Sequence, residues 1–166
     1  EEILVSHGVT LEKELLMFAA HFDSNLDKSE DEDFYDGAEN FIQVLSSNPL
    51  VNLAFFSGRP RRRIENVIKK LGLPVGTPFL SADGKMAPAK PCGLGLEMIS
   101  DFYNGNQFSG RYYVGDTELD SQAADEAGFD FLFAAWGYGN PRENDHRIAY
   151  SFTDLVSFVR QYSGGV

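Results

Sequence analysis

The chain has 166 residues, 43% hydrophobic and 23% charged; these values are typical of a globular domain and exclude a wholly disordered chain. Its formal net charge of −11 argues against nucleic acid and against an anionic membrane as partner. The single cysteine excludes an internal disulfide, no apolar run approaches the roughly 20 residues that span a bilayer, and no signal peptide is visible, so a cytoplasmic protein is expected.

Strand-like and helix-like segments alternate along the first half of the chain. The apolar run Leu15 to Ala20 is short enough for a buried strand, although Leu11, Leu15 and Phe18 also have helical spacing. A strand is preferred because of the polar residues that follow it. Apolar spacing and chain breakers then predict a helix over 38–45, a strand over 51–57, a helix over 64–71 closed by Gly72, and a strand over 78–81.

The second half continues the same alternation. It predicts a helix over 94–103, a strand over 112–115, a helix over 119–127, a strand over 129–135 and a helix over 153–161. Five strands alternating with helices predict a Rossmann-like, three-layer α/β fold, with a parallel sheet of about five strands and helices on both faces. Residues 1–166 are interpreted as one such domain, in which 1–13 have no assigned place and 27–33 form an acidic, solvated loop.

Polar residues follow the first two predicted strands. In parallel α/β sheets, ligands bind beyond the carboxyl ends of the strands. His21 and Asp23 follow the first strand two positions apart, so both side chains can point into one site. Ser57, Gly58 and Arg59 follow the second strand and offer a hydroxyl, a backbone amide and a cation, which suit phosphate oxygens.

Charged residues follow the next two strands. Lys90 can neutralise charge that develops on a transferring phosphoryl group. Asp116 and Asp120 lie where a strand gives way to a helix, and their carboxylates can serve a hard cation such as Mg²⁺. Each residue alone has a simpler interpretation, such as a turn, a solvated lysine or a helix cap. Their order, each after its own strand, favours one phosphoryl-transfer site.

These motifs resemble the haloacid dehalogenase (HAD) superfamily, nearest its phosphoglycolate-phosphatase-like branch, over roughly residues 14–163. MFAAHFDSNL resembles the family's first motif, AFFSGRP the second, AKP the third, and the segment from YYVGDTELD to WGYG the fourth. The resemblance implies a Mg²⁺-dependent phosphatase acting on a phosphorylated metabolite or macromolecule. It implies that Asp23 is the general acid and base, that Ser57 and the Gly58 amide bind the phosphoryl group, and that Arg59 contacts the substrate. It also implies that Lys90 bridges the nucleophile position and the phosphate, that Asp116 is a metal ligand, and that Asp120 supports the metal or Lys90.

The sequence departs from the family's first motif. His21 stands where the family has the nucleophilic aspartate, which forms an aspartyl-phosphate and ligates the metal. Ser24 and Asn25 replace the family's Gly-Thr. Because Mg²⁺ prefers oxygen ligands, weakened phosphatase activity is expected. The alternatives are a catalytically inactive HAD-like protein that binds a phosphorylated ligand or a protein, and a transferase that uses a phosphohistidine at His21.

The first segment has a second interpretation, in which residues 11–26 are the last helix of a cap domain. That interpretation would leave the sheet without its central strand and expose unpaired backbone. With little or no cap inserted after the first or third strand, the site is expected to be open, which suits large substrates or partner proteins. The remaining candidates are interpreted as structural or solvated positions: His7, His146, Cys92 and Arg61 to Arg63.

Overall fold

The computed structural model describes the backbone of residues 13–18, 34–103 and 108–162, and the side chains of 34–103 and 108–158. Within these residues, six parallel strands form one sheet in the order β3-β2-β1-β4-β5-β6. The strands are β1 Lys13–Phe18, β2 Val51–Ser57, β3 Phe79–Ser81, β4 Phe108–Gly115, β5 Asp130–Ala134 and β6 Ile148–Ala149.

Helices connect the strands and follow the predicted positions closely. They are α1 Ala38–Ser46, α2 Arg61–Lys70, α3 Leu94–Phe102, α4 Glu118–Ala127 and α5 Phe152–Tyr162. The start of α4 is fixed by a capping box between Thr117 and Asp120, which satisfies backbone N–H groups that a helix start leaves unpaired. Its end is fixed by Gly128, whose φ of 67° lies in the left-handed region that glycine adopts without strain.

The central strand is β1, which pairs with β2 on one side and β4 on the other. The prediction of a strand in this segment is therefore confirmed, two residues earlier than expected. The alternative in which residues 11–26 are a cap-domain helix is wrong for residues 13–18. Phe18 pairs with Phe55 and with Val114, so the chain leaves β1 between the carboxyl ends of β2 and β4.

The sheet differs from the predicted one at its edge and in one strand's length. A sixth strand, β6, was not predicted, because two residues are too short to show a period of two. The strand β4 begins at Phe108, four residues before the predicted start, since Ser109, Gly110 and Arg111 interrupt the apolar run that the sequence pattern detects. Neither difference moves a strand end that bears a candidate site residue.

Each face of the sheet has its own hydrophobic core, so the fold has three layers. Phe55 and Phe56 are neighbours on β2, and both are completely buried on opposite faces. On one face α1, α2 and α5 supply core residues; on the other, α3 and α4 do. Burying each phenyl ring contributes about 1.5–3 kcal/mol. The predicted Rossmann-like α/β fold with helices on both faces is confirmed. No helix in the described ranges has the length and apolar character to cross a membrane.

Candidate functional site

Polar residues end or follow three strands at the carboxyl end of the sheet: β3 and β2 on one side of β1, and β4 on the other. Ser57 ends β2 and pairs in register with Ser81, which ends β3. Asp116 directly follows β4. Phe18, at the end of β1, pairs with a residue two positions before Ser57 on β2 and with a residue two positions before Asp116 on β4. Ser57 is 2% exposed and Asp116 is fully buried. The predicted residues His21 and Asp23, which follow β1, lie outside the described residues.

The turn after β2 is held by hydrogen bonds to its neighbours. The backbone N–H of Arg59 donates to Ser57 Oγ at 3.3 Å, and Ser81 Oγ donates to the Arg59 carbonyl at 2.6 Å. The N–H of Ala82 donates to the Ser57 carbonyl at 2.7 Å. A Cβ built on Gly58 meets no described atom within 4 Å. The turn is therefore held at its ends by hydrogen bonds, and the described residues leave space at the Cβ position of Gly58.

The side chain of Lys90 is 10% exposed and forms an ion pair with Asp120 Oδ1, whose side chain is 1% exposed. The Lys90 ammonium also lies 5.3 Å from the centroid of the Phe56 ring and 5.4 Å from that of Tyr113. Both distances allow a favourable cation–π interaction. Burying a charge is costly unless it is paired and hydrogen-bonded, so this lysine is held by three separate interactions.

Asp120 accepts hydrogen bonds at both of its carboxylate oxygens. Oδ1 takes the Lys90 ion pair and a bond of 2.9 Å from the Tyr113 hydroxyl. Oδ2 accepts from the Thr117 N–H at 3.1 Å and from the Thr117 hydroxyl at 2.6 Å. The sequence left two roles open for Asp120, as support for the metal or for Lys90. These contacts favour support of Lys90.

Asp116 is enclosed by the loop that follows β5. The Tyr138 N–H donates to Asp116 Oδ2 at 2.6 Å. A Cβ on Gly137 would collide with the Asp116 side chain, and one on Gly139 would collide with the Asp116 carbonyl oxygen. The two glycines are therefore needed because this loop passes against Asp116 more closely than any side chain allows.

The donor set at this end of the sheet fits a hard cation in part. Asp116 supplies a buried carboxylate, the kind of ligand that Mg²⁺ prefers, and the glycine cradle holds that carboxylate in place. Among the described residues, no three His, Cys, Asp or Glu side chains are grouped closely enough to hold a metal ion by themselves. The predicted metal site is therefore not complete within the described carboxylate, imidazole and thiol groups.

Two residues of the site were missed by sequence reasoning. Tyr113 and Tyr138 looked like ordinary members of a strand and a loop, and no local pattern marks a contact that depends on the folded chain. Burial raises the pKa of Tyr113 well above its usual value, and the nearby charge of Asp120 raises it further. The Tyr113 hydroxyl therefore stays protonated and acts as a hydrogen-bond donor.

The structure places one remaining candidate, His146, at the opposite end of the sheet from this cluster. His146 is exposed and lines a groove of about 300 Å³ with Asp125, Phe129 and Arg142, at the amino end of β5. Arg61 forms an exposed ion pair with Glu65. Cys92 is half-buried just before α3. His7 lies outside the described residues.

No protein-family model matches this chain, and no curated protein matches it in sequence. Solved structures do match it. A HAD-superfamily hydrolase from Ehrlichia chaffeensis has 20% identity and a TM-score of 0.64, with 82% of this chain and 62% of that one covered. A predicted phosphoglycolate phosphatase from Haemophilus somnus has 18% identity and a TM-score of 0.63, with 76% and 57% covered. This chain thus spans less than two thirds of either protein.

A third structure is similar in length to this chain. It is the D,D-heptose 1,7-bisphosphate phosphatase from B. bronchiseptica complexed with magnesium and phosphate, with 18% identity, a TM-score of 0.64, and 90% of this chain and 98% of that one covered. At these identities the likeness concerns the fold. The chain has the fold of HAD-superfamily hydrolases, including phosphoglycolate-phosphatase-like proteins.

Proposed function

We propose that the carboxyl end of the sheet is a phosphomonoester site of the HAD type, which uses Mg²⁺ and hydrolyses its substrate weakly. The observation that carries the proposal is the buried Lys90–Asp120 pair, placed beyond the same strand ends as Ser57 and Asp116. A buried ion pair is costly to maintain, and the buried Ser57 hydroxyl and Asp116 carboxylate lie at the same end of the sheet. A bound phosphate with its counter-ion would give each of these groups a ligand.

The proposed roles follow from the chemistry of each side chain. Ser57 Oγ and the Gly58 amide donate to phosphoryl oxygens, and Lys90 neutralises their charge. Arg59 contacts the remainder of the substrate. Asp23 gives a proton to the leaving oxygen as the phosphoryl group passes to His21, and later takes one from the water that releases phosphate from His21.

The carboxylate of Asp116 holds the cation in this proposal. When bound, Mg²⁺ supplies further charge neutralisation at the phosphoryl oxygens. Asp120 acts through Lys90, because both of its oxygens already accept hydrogen bonds from the protein. The substrate is a phosphorylated metabolite or macromolecule, and the protein acts in the cytoplasm.

Weak hydrolysis is proposed because His21 occupies the nucleophile position of the resembled motif. A neutral imidazole differs from a carboxylate in reach and shape, and it is a poor ligand for Mg²⁺.

The His21→Asp variant should therefore hydrolyse an aryl phosphate at least about tenfold faster than the wild-type chain. His146→Asp, at the exposed amino-end groove, is the matched control and should not change the rate. Equal rates for His21→Asp and wild type would contradict this explanation.

The metal requirement is tested by aryl-phosphate hydrolysis with and without Mg²⁺. Wild-type turnover should need the metal, and Asp116→Asn should reduce it by at least about tenfold. Asp101→Asn, an exposed position on α3, is the matched control and should behave as wild type. Circular dichroism confirms that each variant is folded. Turnover that persists without metal and survives Asp116→Asn would overturn the proposed phosphatase.

The second candidate is a binding module that retains the pocket but performs no hydrolysis. His21 favours it, because it removes the family's nucleophile. This candidate predicts that inorganic phosphate binds, measured by calorimetry, and that Lys90→Met weakens the binding while no variant shows turnover. Robust turnover that depends on Asp23 would exclude it.

A further inference from the structure

Tyr113 connects two parts of the candidate site that belong to different strands. Its side chain is completely buried on β4. Its hydroxyl lies 2.9 Å from the Phe56 carbonyl oxygen and 2.9 Å from Asp120 Oδ1. Phe56 directly precedes Ser57, and β1 lies between β2 and β4 in the sheet. One hydroxyl therefore reaches both the residue before the phosphoryl-binding turn and the carboxylate that pairs with Lys90.

The ring of Tyr113 forms a second connection. Its centroid lies 5.4 Å from the Lys90 ammonium, and the Phe56 ring lies 5.3 Å from the same ammonium. The Lys90 ammonium thus contacts Tyr113 directly through the ring and indirectly through Asp120. A lysine has three N–H donors, so the ion pair with Asp120 leaves donors for a ligand.

Packing alone does not require the hydroxyl. The Tyr113 ring lies about as far from Phe56 as from Phe131, with centroids 6.2 Å apart in both cases, and phenylalanine would fill the same space. A buried hydroxyl is tolerated only when it is hydrogen-bonded. Here both acceptors belong to the candidate site.

We propose that Tyr113 is a positioning residue of the phosphate site: its hydroxyl links Asp120 to the end of β2, and its ring contacts the Lys90 ammonium. The inference rests on the proposed function, since it explains how that site is kept in register. It goes further by assigning a role to Tyr113, a strand residue of the fourth motif to which the resemblance gives no role.

Tyr103 provides a matched control within the same protein. Its hydroxyl donates to the Leu53 carbonyl at 2.9 Å, on the same strand that Tyr113 contacts but near its amino end. Both hydroxyls therefore lie 2.9 Å from a β2 carbonyl oxygen, but the single proton of Tyr113 is shared between that oxygen and Asp120, whereas Tyr103 donates to the carbonyl alone. Tyr113→Phe and Tyr103→Phe each remove one such bond, and they differ in their connection to the site.

The first measurement is the affinity for inorganic phosphate in the presence of Mg²⁺, together with the melting temperature of each variant. Tyr113→Phe should weaken phosphate binding about tenfold, the usual effect of losing a hydrogen bond to a charged group. Tyr103→Phe should bind phosphate as wild type does. Asp120→Asn should make the further change to Tyr113→Phe nearly silent, because the effect passes through Asp120. Equal affinities for both tyrosine variants, or full additivity with Asp120→Asn, would overturn the inference.

A second measurement is independent of phosphate binding. Acetylation of individual lysines, followed by mass spectrometry, reports how firmly Lys90 is held. Lys90 should react several times faster in Tyr113→Phe than in wild type, and at the wild-type rate in Tyr103→Phe. If wild type binds no phosphate, the proposed function fails, and the labelling still decides whether Tyr113 positions Lys90. Unchanged labelling of Lys90 in Tyr113→Phe would show that the hydroxyl does not position Lys90.

Discussion

The two ends of the sheet carry ion pairs of different kinds. At the carboxyl end, the Lys90–Asp120 side chains are 10% and 1% exposed. At the amino end, the Arg142–Asp125 side chains are 25% and 62% exposed. Exposed pairs contribute little to stability because water and salt screen them, whereas a buried pair must offset a large desolvation cost. The amino end also has a buried carboxylate, since Arg142 pairs with Asp145, whose side chain is 3% exposed. The cation of that pair is 25% exposed, whereas Lys90 is 10% exposed, so the carboxyl end has the more enclosed pair.

The glycines at the carboxyl end of the sheet differ from one another in how closely their surroundings approach them. Gly137 and Gly139 lie against Asp116 so closely that no side chain fits. Gly58, also at the carboxyl end, has no described neighbour within 4 Å of a built Cβ. Close packing around Asp116 is what a fixed carboxylate requires, and the described residues leave room at Gly58.

The largest expected effect comes from breaking the buried pair. Asp120→Ala removes the partner of Lys90, the acceptor of Tyr113 and one half of the α4 capping box. The free energy of unfolding should fall by about 4 kcal/mol, since an uncompensated buried charge remains. Urea unfolding followed by circular dichroism measures this loss.

Asp125→Ala is the control for that experiment, because Asp125 is on the same helix and also pairs with a cation. Its loss should cost less than about 1 kcal/mol. Asp125 lies in the last turn of α4, where a negative charge opposes the helix dipole, so part of the cost is recovered. Similar losses for both variants would break the distinction between the two ends of the sheet.

The next effect concerns the cradle around Asp116. Gly137→Ala forces a methyl group into the Asp116 side chain, and should destabilise the protein by about 1–3 kcal/mol through overpacking. Its phosphate affinity in the presence of Mg²⁺ should also fall, because Asp116 must move. Gly58→Ala, which has room for its methyl group, should leave the melting temperature nearly unchanged. An unchanged melting temperature in Gly137→Ala would show that the loop adapts and that Asp116 is not held by it.

The sequence could predict the fold, and which strands its candidate residues follow, because both depend on local patterns. Continuous apolar runs located β2 and β5, and motif spacing located Ser57, Lys90, Asp116 and Asp120. Contacts between distant segments could not be predicted in this way. The Tyr113 hydroxyl bonds to a carbonyl 57 positions earlier, and nothing in the neighbourhood of Tyr113 indicates that partner.

The two-residue strand β6 was missed for a related reason. Its pairing with β5 depends on the sheet already present beside it, not on a pattern of its own. The roles of His21 and Asp23 stay predictions from the first motif, since both residues lie outside the described residues.

A smaller effect is expected from the pH dependence of stability at Tyr103, near the amino end of the sheet. Burial raises the pKa of Tyr103 to about 12, above the value near 10 expected in an unfolded chain. The folded state therefore holds this proton more tightly. Its contribution to stability is complete below about pH 10 and is lost as the pH rises toward 12. Tyr103→Phe should show a smaller alkaline fall in melting temperature than wild type, and an equally steep fall would contradict the assignment.

The smallest effect is expected for the exposed pair between Arg147 and Asp130, whose atoms lie 2.5 Å apart with side chains 29% and 49% exposed. Asp130→Asn should reduce the free energy of unfolding by no more than about 0.5 kcal/mol, and this difference should vanish at high salt because exposed charges are screened. The loss in Asp120→Ala should be nearly the same at low and high salt, because water and ions do not reach that pair. The salt dependence of the loss in unfolding free energy thus distinguishes the ion pairs at the two ends of the sheet, even where the losses themselves are similar in size. If the Asp120→Ala loss also vanished at high salt, the Lys90–Asp120 pair would be a solvated surface pair, and the argument for a charged, buried phosphate site would fail with it.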